Sequence, residues 1–463
     1  MSIQINNSNF VHCHVHSEYS NFDGLIPIKK LVNKARFMGF PALAITDHGT
    51  IGGWIKFIQA CTATVDKDGK ELPYLPIKPI LGIECYLCKN MSYKSKALQP
   101  EGRKGNSHLI LLAKNWDGYK NICFLSQASW VDGFYSHPRI DFEMLNKHSS
   151  GVIASSACLG GIINANLLRD RYEQAKKAAI ILKDIFKEDF FLEVMFHGME
   201  EQKLIISDIL KLGKELNIPV IASNDVHFLE KEHAESQEVL MCMSTNKCMK
   251  DSKRMRHSYP EYYLKSAKEM YSIFKFCPQV LYNTLSIAER VQGKEIINSL
   301  FGGMKIPRFV VPKEYKNPYD YLSFLAYEGL KKLGWDKSQK HVDALKMELG
   351  DIKVAYDNNG YDFSTYFLVV WDIINHAKKV GILTGPGRGS GYGSVILRCI
   401  GATYGPDPIK YGLIWERFLG FEKKRFIAAK DFGFDSIDKQ KDLPLKAIEE
   451  RSRNEDPGGV DRY

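Results

Sequence analysis

The stretch ALAITDHGTIGG, residues 42–53, sets the reading of the whole chain. A short apolar run suited to a buried strand ends in Asp47 and His48, and glycine-containing residues then turn the chain. The same layout recurs on either side. FVHCHVH (10–16), KPILGIECYL (78–87), HLILLAKN (108–115), GVIASSA (151–157), FFLEVMF (190–196) and PVIASNDVH (219–227) are each apolar and β-rich, and each gives way to polar or glycine-containing residues. Stretches of helical period separate them. Ile28, Leu31, Val32, Ala35 and Met38 form one apolar stripe, and a second helix covers Glu173 to Phe186. Seven strand candidates alternating with helices predict an α/β fold. The rhythm is that of parallel strands joined by crossover helices, in a closed or nearly closed seven-stranded (β/α) barrel with its chemistry at the strand C-terminal ends.

Past residue 230 the pattern changes. Residues 230–304 and 317–379 read as helices, followed by a strand-like GILTG (381–385), a glycine-rich loop GPGRGSGYGS (385–394) and a helical VILRCIGA (395–402). After Leu419 the sequence is polar and unpatterned, which predicts a flexible tail. The expected organisation is therefore a barrel domain over 1–270, a mainly helical region with the glycine-rich loop over 271–420, and a tail over 421–463.

Composition narrows the function classes. With 44% hydrophobic residues, 463 residues suffice for two or three packed cores. No apolar run approaches the roughly 18 residues of a membrane span, and the polar start MSIQINNSNF lacks a secretory layout, so a cytoplasmic protein is expected. Ten scattered cysteines predict reduced thiols, and Cys85 with Cys88, pointing to opposite faces of a strand, predict buried packing rather than a zinc pair. The net charge of +9 suits a phosphate-bearing partner without demanding one.

The ligand-capable side chains are not scattered. His14 and His16 share one face of a strand, Asp23 follows on a loop, and His48, Glu84, Cys158, Asp225 and His227 stand late in or just after predicted strands. His108 differs, because it opens its strand. Any one of these histidines alone reads as an ordinary surface or core residue; the metal reading rests on their common placement. Imidazoles, carboxylates and one thiolate suit zinc, manganese or iron, and the set is too large for a single tetrahedral ion, so two or three ions are implied. Such a cluster supplies hydroxide near neutral pH and clamps phosphoester oxygens, which points to phosphoester hydrolysis. His12 and His197 are candidates to support the ligands from behind.

HCHVHSEYSNFDG, AITDHGTIGG, GIECYL, SHLILLAKN, SSACLGG and SNDVHFL together resemble the successive motifs of the PHP domain of bacterial replicative, C-family DNA polymerase III alpha subunits, and RMRHSYPEYYLKS continues the likeness. The resemblance implies a metal set of His14, His16, Asp23, His48, Glu84, His108, Cys158, Asp225 and His227, each position carrying a residue able to coordinate. It also implies 3′–5′ exonuclease chemistry, which complete PHP sites of the family support and incomplete ones do not. YFLVVWDIINHAKKVGILTGPGRGSGYGS followed by DPIKYGLIWERFL is similar to the entry of the family's nucleotidyltransferase-type palm. By that likeness Gly389, Ser390 and Arg417 contact the triphosphate of an incoming dNTP, with Arg388 a further phosphate contact.

The family's Pro-Asp-x-Asp-x-Asp does not follow. Asp431, Asp435 and Asp438 have the wrong spacing, and Asp66 with Asp68 lies in a turn. The resemblance therefore implies an incomplete palm in a split or truncated polymerase subunit. A second polypeptide would supply the magnesium-binding carboxylates, with DNA primer-template, replication clamp and other replisome proteins as partners, in a bacterial or phage-infected cell. Two other readings follow from the residues: a free-standing phosphoesterase of small phosphomonoesters, and a structural metal site ordering a docking domain.

Overall fold

The computed structural model describes residues 7–21, 23–66, 68–94, 106–256, 259–302 and 306–419. The chain divides into two compact units, Met1–Gly302 and Gly303–Tyr463, each with its own hydrophobic core. The expected flexible tail, with Asp431, Asp435 and Asp438, lies outside the described residues. Among those described, no helix is long and apolar enough to cross a membrane.

The first unit is a curled mixed sheet wrapped by helices. Its strands are β1 (Ala42–Ile45), β2 (Lys78–Cys88), β3 (Ser107–Ala113), β4 (Arg139–Asp141), β5 (Val152–Ser155), β6 (Phe190–Val194) and β7 (Val220–Ala222). They run in the order β1-β2-β3-β5-β6-β7, with β4 paired to β2 outside that path. Full burial of β1, β5, β6 and β7 accounts for their unbroken apolar runs. The predicted helices are present. Ile28–Met38 buries Ile28, Leu31, Val32 and Ala35, and the second spans Tyr172–Phe186.

Three expectations need correction. FVHCHVH is not a regular strand, although it is hydrogen-bonded on both sides. The Ala44 and Thr46 amides donate to His12 O and Val15 O at 3.0 and 2.8 Å. On the other side the His16 amide donates to Val226 O at 2.8 Å, and the Val226 amide to His14 O at 3.2 Å. Residues 12–16 thus join β1 to the segment after β7 and close the curl. Their ladder is irregular because side-chain hydroxyls replace backbone partners: the Val15 and Val11 amides donate to Thr46 Oγ1 and Thr284 Oγ1.

The sheet is also not all parallel, since β3 runs antiparallel to both β2 and β5. Parallel neighbours need a crossover element, and no described residue between β2 and β3 is helical. Finally, the unit does not end near residue 270. The helices Ala267–Phe274, Gln279–Arg290 and Gly293–Phe301 send Phe274, Val280, Leu281 and Ile296 into the same core, and Asn283 Nδ2 donates to Val220 O of β7 at 2.7 Å.

In the second unit the helices Pro318–Lys332, Gln339–Asn359, Phe363–Lys379 and Val395–Cys399 bury Leu322, Leu330, Leu345, Leu349, Phe367, Val395 and Ile396 together. Gly329 lets two of them meet: a Cβ there would lie 1.9 Å from Cys399 O. The strand expected at GILTG does not form. No strand occurs among the described residues 306–419, so that segment has no ladder to join.

Beneath the glycine-rich loop, buried Glu348 accepts from Val395 N at 2.7 Å, Ile396 N at 3.0 Å and Ser394 Oγ at 3.0 Å. Burial pushes its carboxyl up to about 7 against the pull of these three donors. Glu348→Gln replaces an acceptor by a donor facing another donor. The second unit should lose about 1–3 kcal/mol of stability, read by urea unfolding.

Candidate metal centre

All nine ligand candidates converge on one place. The closing segment supplies His14 and His16, whose Nε2 atoms lie 3.1 Å apart. β2 supplies Glu84, and the loop after β1 supplies His48, whose Nδ1 lies 2.7 Å from Glu84 Oε2. Asp23 Oδ2 is 3.0 Å from His48 Nε2. The segment after β7 contributes Asp225, with Oδ1 3.2 and 3.3 Å from the Nε2 atoms of His14 and His16, and His227, whose ring stacks on His16 at 4.3 Å. Cys158, just after β5, places Sγ 3.4 Å from His108 Nδ1. Three overlapping triads could each hold an ion: His14, His16 and Glu84; His16, His48 and His227; His48, Glu84 and His108.

His108 opens its strand and still belongs. Because β3 is antiparallel, its first residues lie at the rim where the parallel strands end, opposite Tyr86 of β2. That places His108 Nδ1 2.6 Å from Glu84 Oε1.

Hydrogen bonds behind the cluster fix the imidazole tautomers. Glu193 faces His14 Nδ1 at 2.7 Å and accepts from Ser155 Oγ at 2.6 Å and from Ser223 Oγ. A carboxylate accepting all three requires a proton on His14 Nδ1, which leaves Nε2 aimed at the centre. Ser20 Oγ donates to Asp47 Oδ1 at 2.8 Å, so it accepts from His16 Nδ1 at 2.8 Å, with the same consequence for His16 Nε2. Asp225 O does this for His227 Nδ1 at 2.7 Å.

Glu193, Ser20 and Asp47 escape the sequence reading. Glu193 alone had a signal, as the one charged residue within FFLEVMF. His197 Nε2 bonds Asn224 O, beside Asp225, at 3.0 Å, and its ring stacks on Tyr262. His12 instead bonds Lys265 O at 2.8 Å and packs edge-on against Phe10 and Phe40. Cys85 and Cys88 are buried free thiols.

The chemistry of the donor set fits cations. His48 Nδ1 with Glu84 Oε2, and Asp225 Oδ1 with the His14 and His16 nitrogens, stand at ion-pair distance without hydrogen-bond geometry, and Asp23 Oδ1 is buried with no hydrogen-bond partner, a crowding of donor atoms that a shared cation would satisfy. Two backbone positions at the site are strained as well, with Ala157, before Cys158, at φ 58° and Asp225 at φ 46°. Burial alone would push Glu84 up, but His108 and His48 hold it well below the usual carboxylate range. Burial pulls His14 and His48 down, and facing carboxylates outweigh it: Asp225 and Glu193 for the first, Glu84 and Asp23 for the second. The Cys158 thiol is pushed well up by burial, Glu84 and Asp225. Without metal, protons balance these charges; bound cations displace them.

The cluster forms the floor of an open cleft of about 790 Å³, with Tyr86, Trp130, Phe134, His137, Met199 and Tyr262 among its walls.

In the second unit, Arg388, Gly389, Ser390 and Arg417 are all exposed, on two adjoining 3-10 turns, Gly389–Gly393 and Trp415–Arg417, with Arg388 just before the first. The helix after the glycine loop does not offer its first amides to solvent, because Glu348 already occupies them.

Residues 12–197 match the PHP domain family, and residues 320–451 match the bacterial DNA polymerase III alpha NTPase domain. The chain is 38% identical to DNA polymerase III subunit alpha of Borreliella burgdorferi, across 95% of this chain and 36% of that protein. The corresponding protein of Campylobacter jejuni is 37% identical across 90% of this chain and 35% of its own length. That of Treponema pallidum is 34% identical across 97% and 36%. The chain thus spans about a third of the length of these relatives.

Two outcomes follow from this geometry. Glu193→Gln should weaken manganese or zinc binding roughly 10- to 100-fold, read by calorimetric titration, by releasing the hold on His14. For pH, a histidine raised in the folded state adds stability that is full below its unfolded value of 6.5 and is lost as pH rises through the folded value. In chelator, the melting temperature of the first unit should therefore fall from mildly acidic to mildly alkaline pH, and added metal should remove that fall.

Proposed function

We propose, for a chain that carries a PHP domain followed by a bacterial DNA polymerase III alpha NTPase domain, that its first unit trims 3′ ends of DNA as a metal-dependent 3′–5′ exonuclease during DNA replication. The observation that carries this reading is the convergence of nine side chains able to coordinate, among them three overlapping triads that could each hold an ion.

Two or three bound divalent metals, as zinc, manganese or iron, would lower the pKa of a bound water and clamp the attacking and leaving oxygens of a phosphodiester. The protein's own part is positional. His14, His16 and Glu84 form a floor at 1% exposure or less, which keeps bulk water from the lower face of the site. Asp23, His48, His108 and Cys158 line the open cleft, where a scissile phosphate can enter. Glu193 and the Ser20–Asp47 pair hold two imidazoles with their lone pairs toward the centre, so no tautomer exchange precedes binding.

The second unit, on this reading, holds the triphosphate of a dNTP with Arg388, Gly389, Ser390 and Arg417. Arg388 and Arg417 provide fixed positive charge, and exposed Gly389, at φ 56°, allows close approach of the backbone. Polymerisation on a DNA primer-template needs magnesium-binding carboxylates that do not follow Leu419 in the family's pattern. On this reading they come from outside residues 1–463, as from a second polypeptide, and the clamp and other replisome proteins are partners, in the cytoplasm of a bacterial or phage-infected cell.

The open cleft favours turnover over a purely structural metal, whose site would be closed. A small phosphomonoesterase would leave the similarity over residues 320–451 without a purpose.

Purified chain loaded with manganese or zinc should release nucleotides from a 3′-labelled single-stranded DNA, and a His14→Ala, His48→Ala double variant should release none. A folded, metal-loaded wild-type chain that leaves the label intact sinks the exonuclease reading in favour of a structural metal.

A further inference from the structure

Two large aromatic side chains stand exposed on the wall of the metal cleft. Trp130 is 51% and Phe134 45% exposed, and their rings lie near-parallel, at 16° with centroids 5.5 Å apart. Both line the same cleft as Asp23, His48 and His108. Neither contributes to the unit's hydrophobic core, so folding does not account for keeping apolar rings in water there.

The Trp130 ring and the backbone beside Phe134 are both held in place. The Trp130 indole N–H donates to Gly49 O at 2.8 Å, which ties the ring to the residue after His48. Gly49 itself is tightly seated: its φ is 60°, and a Cβ there would lie 2.5 Å from Pro138. The loop bearing Phe134 is clamped by the fully buried Arg139, whose Nε donates to Gly133 O at 2.9 Å while Nη1 and Nη2 donate to Tyr93 O and Met91 O at 3.1 and 3.0 Å. A fixed ring loses little entropy when a flat partner settles on it.

Among the described residues that line the cleft there is no lysine or arginine. Those residues therefore bring no cation to grip a phosphate beyond any metal at the floor. The exposed π face offers them another means of recognition, since every nucleobase can stack on it whatever its identity.

We infer that Trp130 and Phe134 form a stacking platform for the nucleobase of the 3′-terminal nucleotide, so that the cleft selects single-stranded polynucleotide ends over base-free phosphoesters. This rests on the exonuclease reading for its turnover, though not for its binding.

The test uses the full chain with manganese and two otherwise identical single-stranded oligodeoxynucleotides, one ending in adenine and one in an abasic sugar. The wild type should prefer the base-bearing end roughly tenfold in kcat/KM, mostly through KM. Trp130→Ala and Phe134→Ala should each bring that ratio close to one, and Trp130→Phe should retain most of it. A wild type without preference, or alanine variants that lower both substrates equally and leave the ratio intact, overturns the platform. If no metal gives turnover, the exonuclease reading fails on its own. The platform is then judged by equilibrium binding of the same two oligonucleotides: a preference lost in Trp130→Ala upholds it, and equal affinity overturns it.

Discussion

Glu84 is a carboxylate at 1% exposure, with imidazole nitrogens of His108, His48 and His16 at 2.6, 2.7 and 3.3 Å. Removing one partner from a buried ion pair costs about 3–5 kcal/mol, so a buried carboxylate persists only while its cationic partners do. The path of the first unit meets that constraint. β2 carries Glu84 into the interior, and four separate segments bring histidines to it: the closing strip at residues 12–16, the turn after β1, the start of β3 and the segment after β7. The curl of the sheet is what makes those segments meet, and an open sheet of the same strands would spread them along an edge.

The antiparallel setting of β3 follows the same logic. A parallel β3 would carry His108 to the far rim, out of reach of Glu84 and Cys158. Reversing one strand turns a strand-opening residue into a rim residue, and the donor set becomes complete. The buried Asp23 Oδ1, which has no hydrogen-bond partner, then marks where protein alone does not finish the interaction.

Most of this centre was legible in the sequence because ligands at strand ends leave a local signature: an apolar run, then a histidine, carboxylate or thiol, then a turn. That signature located His48, Glu84, Cys158, Asp225 and His227, the shared strand face located His14 and His16, and the likeness to the PHP motifs completed the set with Asp23 on its loop and His108 at the start of its strand; the helical stripe of residues 28–38 was equally local. What it missed depended on partners distant in the chain. FVHCHVH alternates like a strand, yet Thr46 and Thr284 hydroxyls take part of its ladder. β4 is too short to show a period. Glu193 reads as an oddity in an apolar strand until Ser155, Ser223 and His14 surround it. In the second unit, glycine richness suggested amides free to cradle phosphate, whereas Glu348 from another helix already occupies those that follow the loop. A strand-like composition at residues 381–385 likewise makes no strand without a neighbour.

Nine converging side chains should hold a cluster of metal ions, and X-ray absorption at the zinc edge of zinc-loaded protein, with metal content measured on the same sample, can see it. Two or three ions per chain are expected, with a first shell mainly of nitrogen and oxygen and a minor sulfur contribution at about 2.3 Å from Cys158. A single ion, or a shell without sulfur and without a second metal nearby, would contradict it.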